Sequence, residues 1–132
     1  MRHPRRLGLL LLLVLAGCGR SGHTDRQHSE PVDLTWTLRP ATATVGPATL
    51  TLNLRAPSGD PITGASVKIE GQMTHPGMEP VLAEAVPRAP GVYEAAFAFT
   101  MRGDWVLLVS IALPDGTRVE RRIDVANVRP SG

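Results

Sequence analysis

The segment Met73-Thr74-His75-Pro76-Gly77-Met78 places two thioethers and one imidazole within a single short stretch, and Met101 adds a third thioether further on. The chain has four methionines and Met1 is the initiator, so every other methionine lies in or near two segments. His75 is the one histidine of the region read below as folded; His3, His23 and His28 precede it. Thioether sulfur and imidazole nitrogen form a ligand set that suits Cu(I) better than zinc or any hard cation. Met73 and His75 are two residues apart and share a face if extended. The Pro76-Gly77 pair turns the chain so that Met78 folds back beside them. Trp105 follows closely on Met101 and is placed to cover such a site, because an indole face stacks on a cation. Core packing competes with this reading. Methionine fills gaps in cores, which accounts equally for Met73 and Met101, and His75 and Met78 are then plain residues of a Pro-Gly turn.

Signals for catalysis are scarce. Cys18 is the sole cysteine, so no intramolecular disulfide is possible. Ser58, Ser66 and Ser110 have no histidine partner by sequence, and His75 is the only candidate base. No phosphate-binding glycine loop, zinc signature or paired-carboxylate motif is present. Asp60 and Asp104 read as turn residues. The expectation is a protein that is not an enzyme.

The N-terminus carries a different signal. Arg2, Arg5 and Arg6 form a basic start, followed by an apolar run from Leu7 to Leu15 broken only by Gly8. That run falls well short of the roughly 20 residues a bilayer-spanning helix needs and has the length of a signal-peptide core. It ends in Leu15-Ala16-Gly17-Cys18, which resembles the lipobox of bacterial lipoproteins, whose cysteine receives diacylglyceryl before cleavage. Residues 1–17 are therefore expected to be a lipoprotein signal peptide and Cys18 the lipidation site. That resemblance also implies that Gly19, rather than Asp, favours the outer membrane (periplasmic face) in a Gram-negative cell. The whole chain is +2, but loss of Arg2, Arg5 and Arg6 leaves 11 basic against 12 acidic residues, or −1. Nothing in this balance points to nucleic acid or to an anionic lipid surface.

Residues 18–30 contain no large apolar side chain beyond Cys18 and read as a flexible tether, in which His23 and His28 are solvated. Residues 31–128 read as one domain, with 129–132 as a tail. The pattern there is period two, bounded by proline and glycine. Val32, Leu34, Trp36 and Leu38 alternate with polar residues, as do Leu50, Leu52 and Leu54. Val67 and Ile69 continue the pattern, and Tyr93, Ala95, Phe97 and Phe99 share one face. The run from Trp105 to Ala112 is apolar on nearly both faces and predicts a central strand. Val119, Ile123 and Val125 predict a last strand in which Arg121 falls on the inward face, as an edge-strand device would. Val81–Val86 is a weaker strand. Ala56–Pro61, Pro87–Gly91 and Pro114–Thr117 are turns, the last with a strong Asp-Gly hairpin signal. About seven short strands without helical periodicity predict an all-β fold, an antiparallel immunoglobulin-like β-sandwich. Strands that alternate up and down put Met73, His75, Met78 and Met101 at one end and the tether at the other.

Three stretches carry a family resemblance: Val67 to Met78, Pro90-Gly91-Val92-Tyr93, and Phe99-Thr100-Met101-Arg102-Gly103-Asp104-Trp105. Together they resemble the YtkA-like domain, with FixH-like proteins as more distant kin, over about Thr49 to Val125. The resemblance implies a small β-sandwich exported in bacteria, often in a setting of copper handling or respiratory oxidase assembly. A FixH-like protein is held by a transmembrane helix, whereas this chain has only the lipobox. Two functions follow as expectations. One is an extracytoplasmic, lipid-anchored monomer that binds or hands on Cu(I) through Met73, His75, Met78 and Met101, with a copper-handling, respiratory or envelope membrane protein as partner. The other is a metal-free interaction module docking on a membrane or envelope complex.

Overall fold

The computed structural model describes residues 30–132; the expected signal peptide, Cys18 and most of the tether lie outside them. Eight strands form: β1 Asp33–Arg39, β2 Gly46–Arg55, β3 Ser66–Met73, β4 Val81–Glu84, β5 Val86–Ala89, β6 Val92–Phe99, β7 Gly103–Ala112 and β8 Arg118–Val128. They build two four-stranded antiparallel sheets, one ordered β1-β2-β6-β5 and the other β4-β3-β7-β8. This is the immunoglobulin-like sandwich that the alternation predicts. Among the described residues no helix is long and apolar enough to cross a membrane.

Each sheet has one apolar face because alternate side chains point to opposite sides of a strand. Leu50, Leu52 and Leu54 of β2 are fully enclosed between the sheets, opposite Leu107, Val109 and Ile111 of β7 and Val67 and Ile69 of β3. Burying one such side chain is worth about 1.5–3 kcal/mol relative to leaving it in water. With no disulfide, these layers and their end plugs hold the fold. At one end the plug is Tyr93, whose hydroxyl donates to the Ile62 carbonyl at 2.9 Å and accepts from the Ala65 N–H at 3.1 Å. The Gly-x-Tyr pattern thus marks a tyrosine corner. Gly91 next to it has φ +74°, and a Cβ there would stand 2.8 Å from both the Leu54 carbonyl oxygen and Pro61 Cβ.

The structure departs from the sequence reading in four places. The expected strand Val81–Val86 is two strands: β4 pairs with β3, Ala85 donates to the Val67 carbonyl, and the chain then crosses to the other sheet as β5 beside β6. Residues Pro87–Ala89, read as turn, belong to β5; proline is tolerated there because β5 is an edge strand. The last strand runs on to Val128. Arg129, expected in the tail, donates to the Ala43 carbonyl at 2.9 Å and accepts from the Val45 N–H at 2.8 Å. Trp36 follows the inward parity of Leu34 and Leu38 yet is 43% exposed, because β1 is the outermost strand of its sheet. Both halves of the split strand run the same way, so the up-down alternation holds. Asp33 lies at one end of the sandwich; Met73, Phe99, Gly103 and Val128 lie at the other. Strands of eight to ten residues at about 3.3 Å per residue separate the two ends by roughly 30 Å.

Candidate functional site

Met73 closes β3 on the same inward face as Val67, Ile69 and Gly71, and registers with Trp105 of β7. It is half-buried against the core. Its Cε stands 3.2 Å from the position a Cβ on Gly103 would occupy, and Gly103 has φ +123°. Trp105 itself is 2% exposed. Its six-membered ring lies over Gly71, 3.6 Å from where a Cβ would be. It meets Phe99 edge to face at 5.4 Å between ring centroids, and Phe99 meets Phe97 likewise at 5.0 Å. The Trp105 indole N–H donates to the Met101 carbonyl at 3.0 Å.

Those contacts explain most of the Phe-x-Met-x-Gly-x-Trp stretch. Phe99 and Trp105 plug the core, Gly103 supplies the turn, and the tryptophan ties the turn down through a backbone oxygen. The fold therefore uses the main chain of Met101 rather than its side chain, and the residue stays 45% exposed. Met78 is 37% exposed and His75 is exposed, on the loop of residues 74–80 that turns at Pro76-Gly77 with Gly77 at φ +85°. The Thr74 N–H donates to the Asp104 carbonyl at 3.3 Å, which fastens this loop to the β6–β7 turn.

Met73, His75, Met78 and Met101 thus occupy adjoining loops at one end of the sandwich. Met78 and Met101 are exposed, and the Met73 side chain is packed against Gly103. Trp105, expected as a cover over the site, is instead part of the core beneath it. The burial of the indole and the use of its N–H by Met101 make it a support for the β6–β7 turn. Asp104, read from sequence as a turn residue, also does more. Its carbonyl holds Thr74, and its carboxylate Oδ1 accepts from the Asn127 N–H at 2.8 Å. Asn127 sits at φ 55° in a bulge where Gly103 pairs with Val128 and Trp105 with Val125. Asparagine is among the few residues that tolerate that conformation. No sequence signal separates Asp104 from an ordinary turn aspartate, because its partners lie just after β3 and on β8.

Among the described residues no group of three or more His, Cys, Asp or Glu side chains gathers to hold a metal. His75 with Met78 and Met101 is a soft donor set of the kind Cu(I) accepts.

The YtkA-like family model matches residues 26–110, and the chain belongs to that family. Among solved structures it is similar to a DUF4426 family protein from Pseudomonas aeruginosa PAO1, with a TM-score of 0.58 and 13% identity over 80% of this chain and 97% of that one. It is also similar to the PmoD soluble domain from Methylocystis sp. ATCC 49242 (Rockwell), with TM-score 0.49 and 11% identity over 72% of this chain and 90% of that one. CopC from Methylosinus trichosporium OB3b follows with TM-score 0.47 and 18% identity over 76% of this chain and 96% of that one. At 13% identity the likeness to the DUF4426 family protein shows the fold alone. No curated protein matches the sequence.

Proposed function

We propose that this chain is a non-catalytic, lipid-anchored extracytoplasmic lipoprotein that binds Cu(I) at the end of its sandwich and hands it to a membrane or envelope partner. The observation that carries the reading is the unspent chemistry at that end. Met78 and Met101 are exposed residues that the core does not use, and His75, the only histidine among the described residues, sits on the same loop as Met78. The setting that the YtkA-like resemblance implies, export together with copper handling or oxidase assembly, agrees with that chemistry. Anchoring through Cys18 rests on the lipobox alone. It would leave the methionine loops facing away from the membrane, because the described chain begins at the opposite end.

An anaerobic Cu(I) titration against a chromogenic competitor chelator tests the proposal. The chain from residue 19 onward and its Met73/His75/Met78 triple substitution are run side by side. Tight one-to-one binding that the triple variant loses supports a copper carrier. Absence of binding by the unsubstituted chain sinks the proposal and leaves the metal-free interaction module.

A further inference from the structure

The sandwich has four outer strands, and three of them carry devices against pairing with another chain. β4 has only four residues. β5 is equally short, contains Pro87 and loses register against β6. β8 is long, but Arg121 points inward from it, bonded to the Glu30 carboxylate and, at 3.2 Å, to the Val32 carbonyl. Its outward positions Arg118, Glu120, Arg122 and Asp124 are all charged. β1 has none of these. It is seven residues long, with no proline or lysine, no inward charge and no partner on its far side among the described residues. Its midpoint Trp36 is 43% exposed and borders an open groove of about 590 Å³, shared with Leu38, Ala43, Asp124 and Asn127.

The sequence of β1, Asp-Leu-Thr-Trp-Thr-Leu-Arg, is complementary to itself when reversed. Laid antiparallel on a second β1 about Trp36, Asp33 comes opposite Arg39 of the second copy. Leu34 comes opposite Leu38, Thr35 opposite Thr37, and Trp36 opposite its own counterpart. The two-fold axis of such a pair runs normal to the sheet, so the apolar row meets the apolar row and the threonine row meets the threonine row. Aromatic pairs, threonine pairs and opposite charges are the cross-strand combinations that stabilise a ladder. We propose that β1 is a homodimerisation edge: two copies join their β1 strands antiparallel about Trp36 into one continuous eight-stranded sheet. The charge pairing at both ends and the single fitting register select a second copy of this chain over a foreign strand.

The test measures the protein mass of the full chain purified in detergent, by light scattering with the detergent contribution subtracted. The unsubstituted chain is expected to be a dimer, and Trp36→Lys a monomer at the same concentration. Asp33→Arg and Arg39→Asp each set like charges opposite one another at both ends, and each weakens the dimer about tenfold. Both positions are exposed, so these variants keep the fold even if Trp36→Lys does not. Mixing the two charge variants restores opposite charges at both ends, so a tagged Asp33→Arg chain captures untagged Arg39→Asp chain better than either captures itself. An unsubstituted chain that stays monomeric overturns the proposal. So does a dimer indifferent to all three substitutions, or charge variants that fail to rescue one another.

Discussion

The two ends of the sandwich are built from similar parts and use them differently. At the end where the chain enters, every marked residue is consumed by the fold. Tyr93 satisfies Ile62 and Ala65, Gly91 lies against Leu54 and Pro61, and Asp115 accepts from the Thr117 N–H at 2.8 Å to close the β7–β8 hairpin. At the far end Phe99, Gly103 and Trp105 do the same work, but Met78, Met101 and His75 are left over. A motif residue that packing explains needs no further account. A motif residue whose side chain the fold leaves in water is where function should be sought.

The largest test of this contrast is removal of a plug. Trp105→Ala deletes a side chain that is 2% exposed, together with the donor that holds Met101, and should cost about 3–5 kcal/mol in denaturant unfolding. Gly91→Ala at the other end places a methyl 2.8 Å from Leu54 oxygen at φ +74°; overpacking and strain together should cost about 2–4 kcal/mol. Tyr93→Phe keeps the ring but strands the Ile62 carbonyl and the Ala65 N–H, for about 1–3 kcal/mol by chemical unfolding.

The leftover residues should behave in the opposite way. Met78→Leu and Met101→Leu keep side-chain volume at exposed positions, so unfolding free energies should stay within about 0.5 kcal/mol of the parent chain. A larger loss would mean that these thioethers are structural and would erase the contrast. The smallest effect belongs to Asp115. Its carboxyl is held below its ordinary value of 3.8, first by the Thr117 backbone N–H and then by the Thr117 side chain. A carboxyl lowered on folding stabilises above its unfolded pKa, and that contribution is lost as pH falls through the folded one. The difference in melting temperature between the parent chain and Asp115→Ala should therefore be small at neutral pH, begin to shrink only as pH falls below about 4, and vanish once pH is below the lowered folded value.

Much of this was legible in the sequence because two-residue periodicity reports burial directly. Leu50, Leu52, Leu54, Val67 and Ile69 face inward as their spacing requires. Gly91-Val92-Tyr93 is the corner, and Asp115-Gly116 closes its hairpin. Periodicity fails where a strand changes partner. At Ala85 the chain leaves one sheet for the other, so residues 81–89 show no continuous face and Pro87 reads as a turn. It also fails at edges. Trp36 keeps inward parity but is open to solvent, and Arg121, a misfit by parity, becomes the link from β8 to Glu30 and Val32. At the candidate site the gathering of Met73, His75, Met78 and Met101 at one end was legible from strand parity. The burial of Trp105 and the junction at Asp104 were not, because both depend on contacts between residues distant in sequence.

On this reading Met78 and Met101 are exposed because they serve as ligands. The most direct measurement is anaerobic Cu(I) competition titration of the Met78→Leu/Met101→Leu double variant, with thermal unfolding recorded on the same samples. Tight one-to-one binding is expected of the parent chain and loss of that binding in the double variant, with the melting temperature unmoved. Equal affinity in the two proteins, or no binding in either, would contradict it.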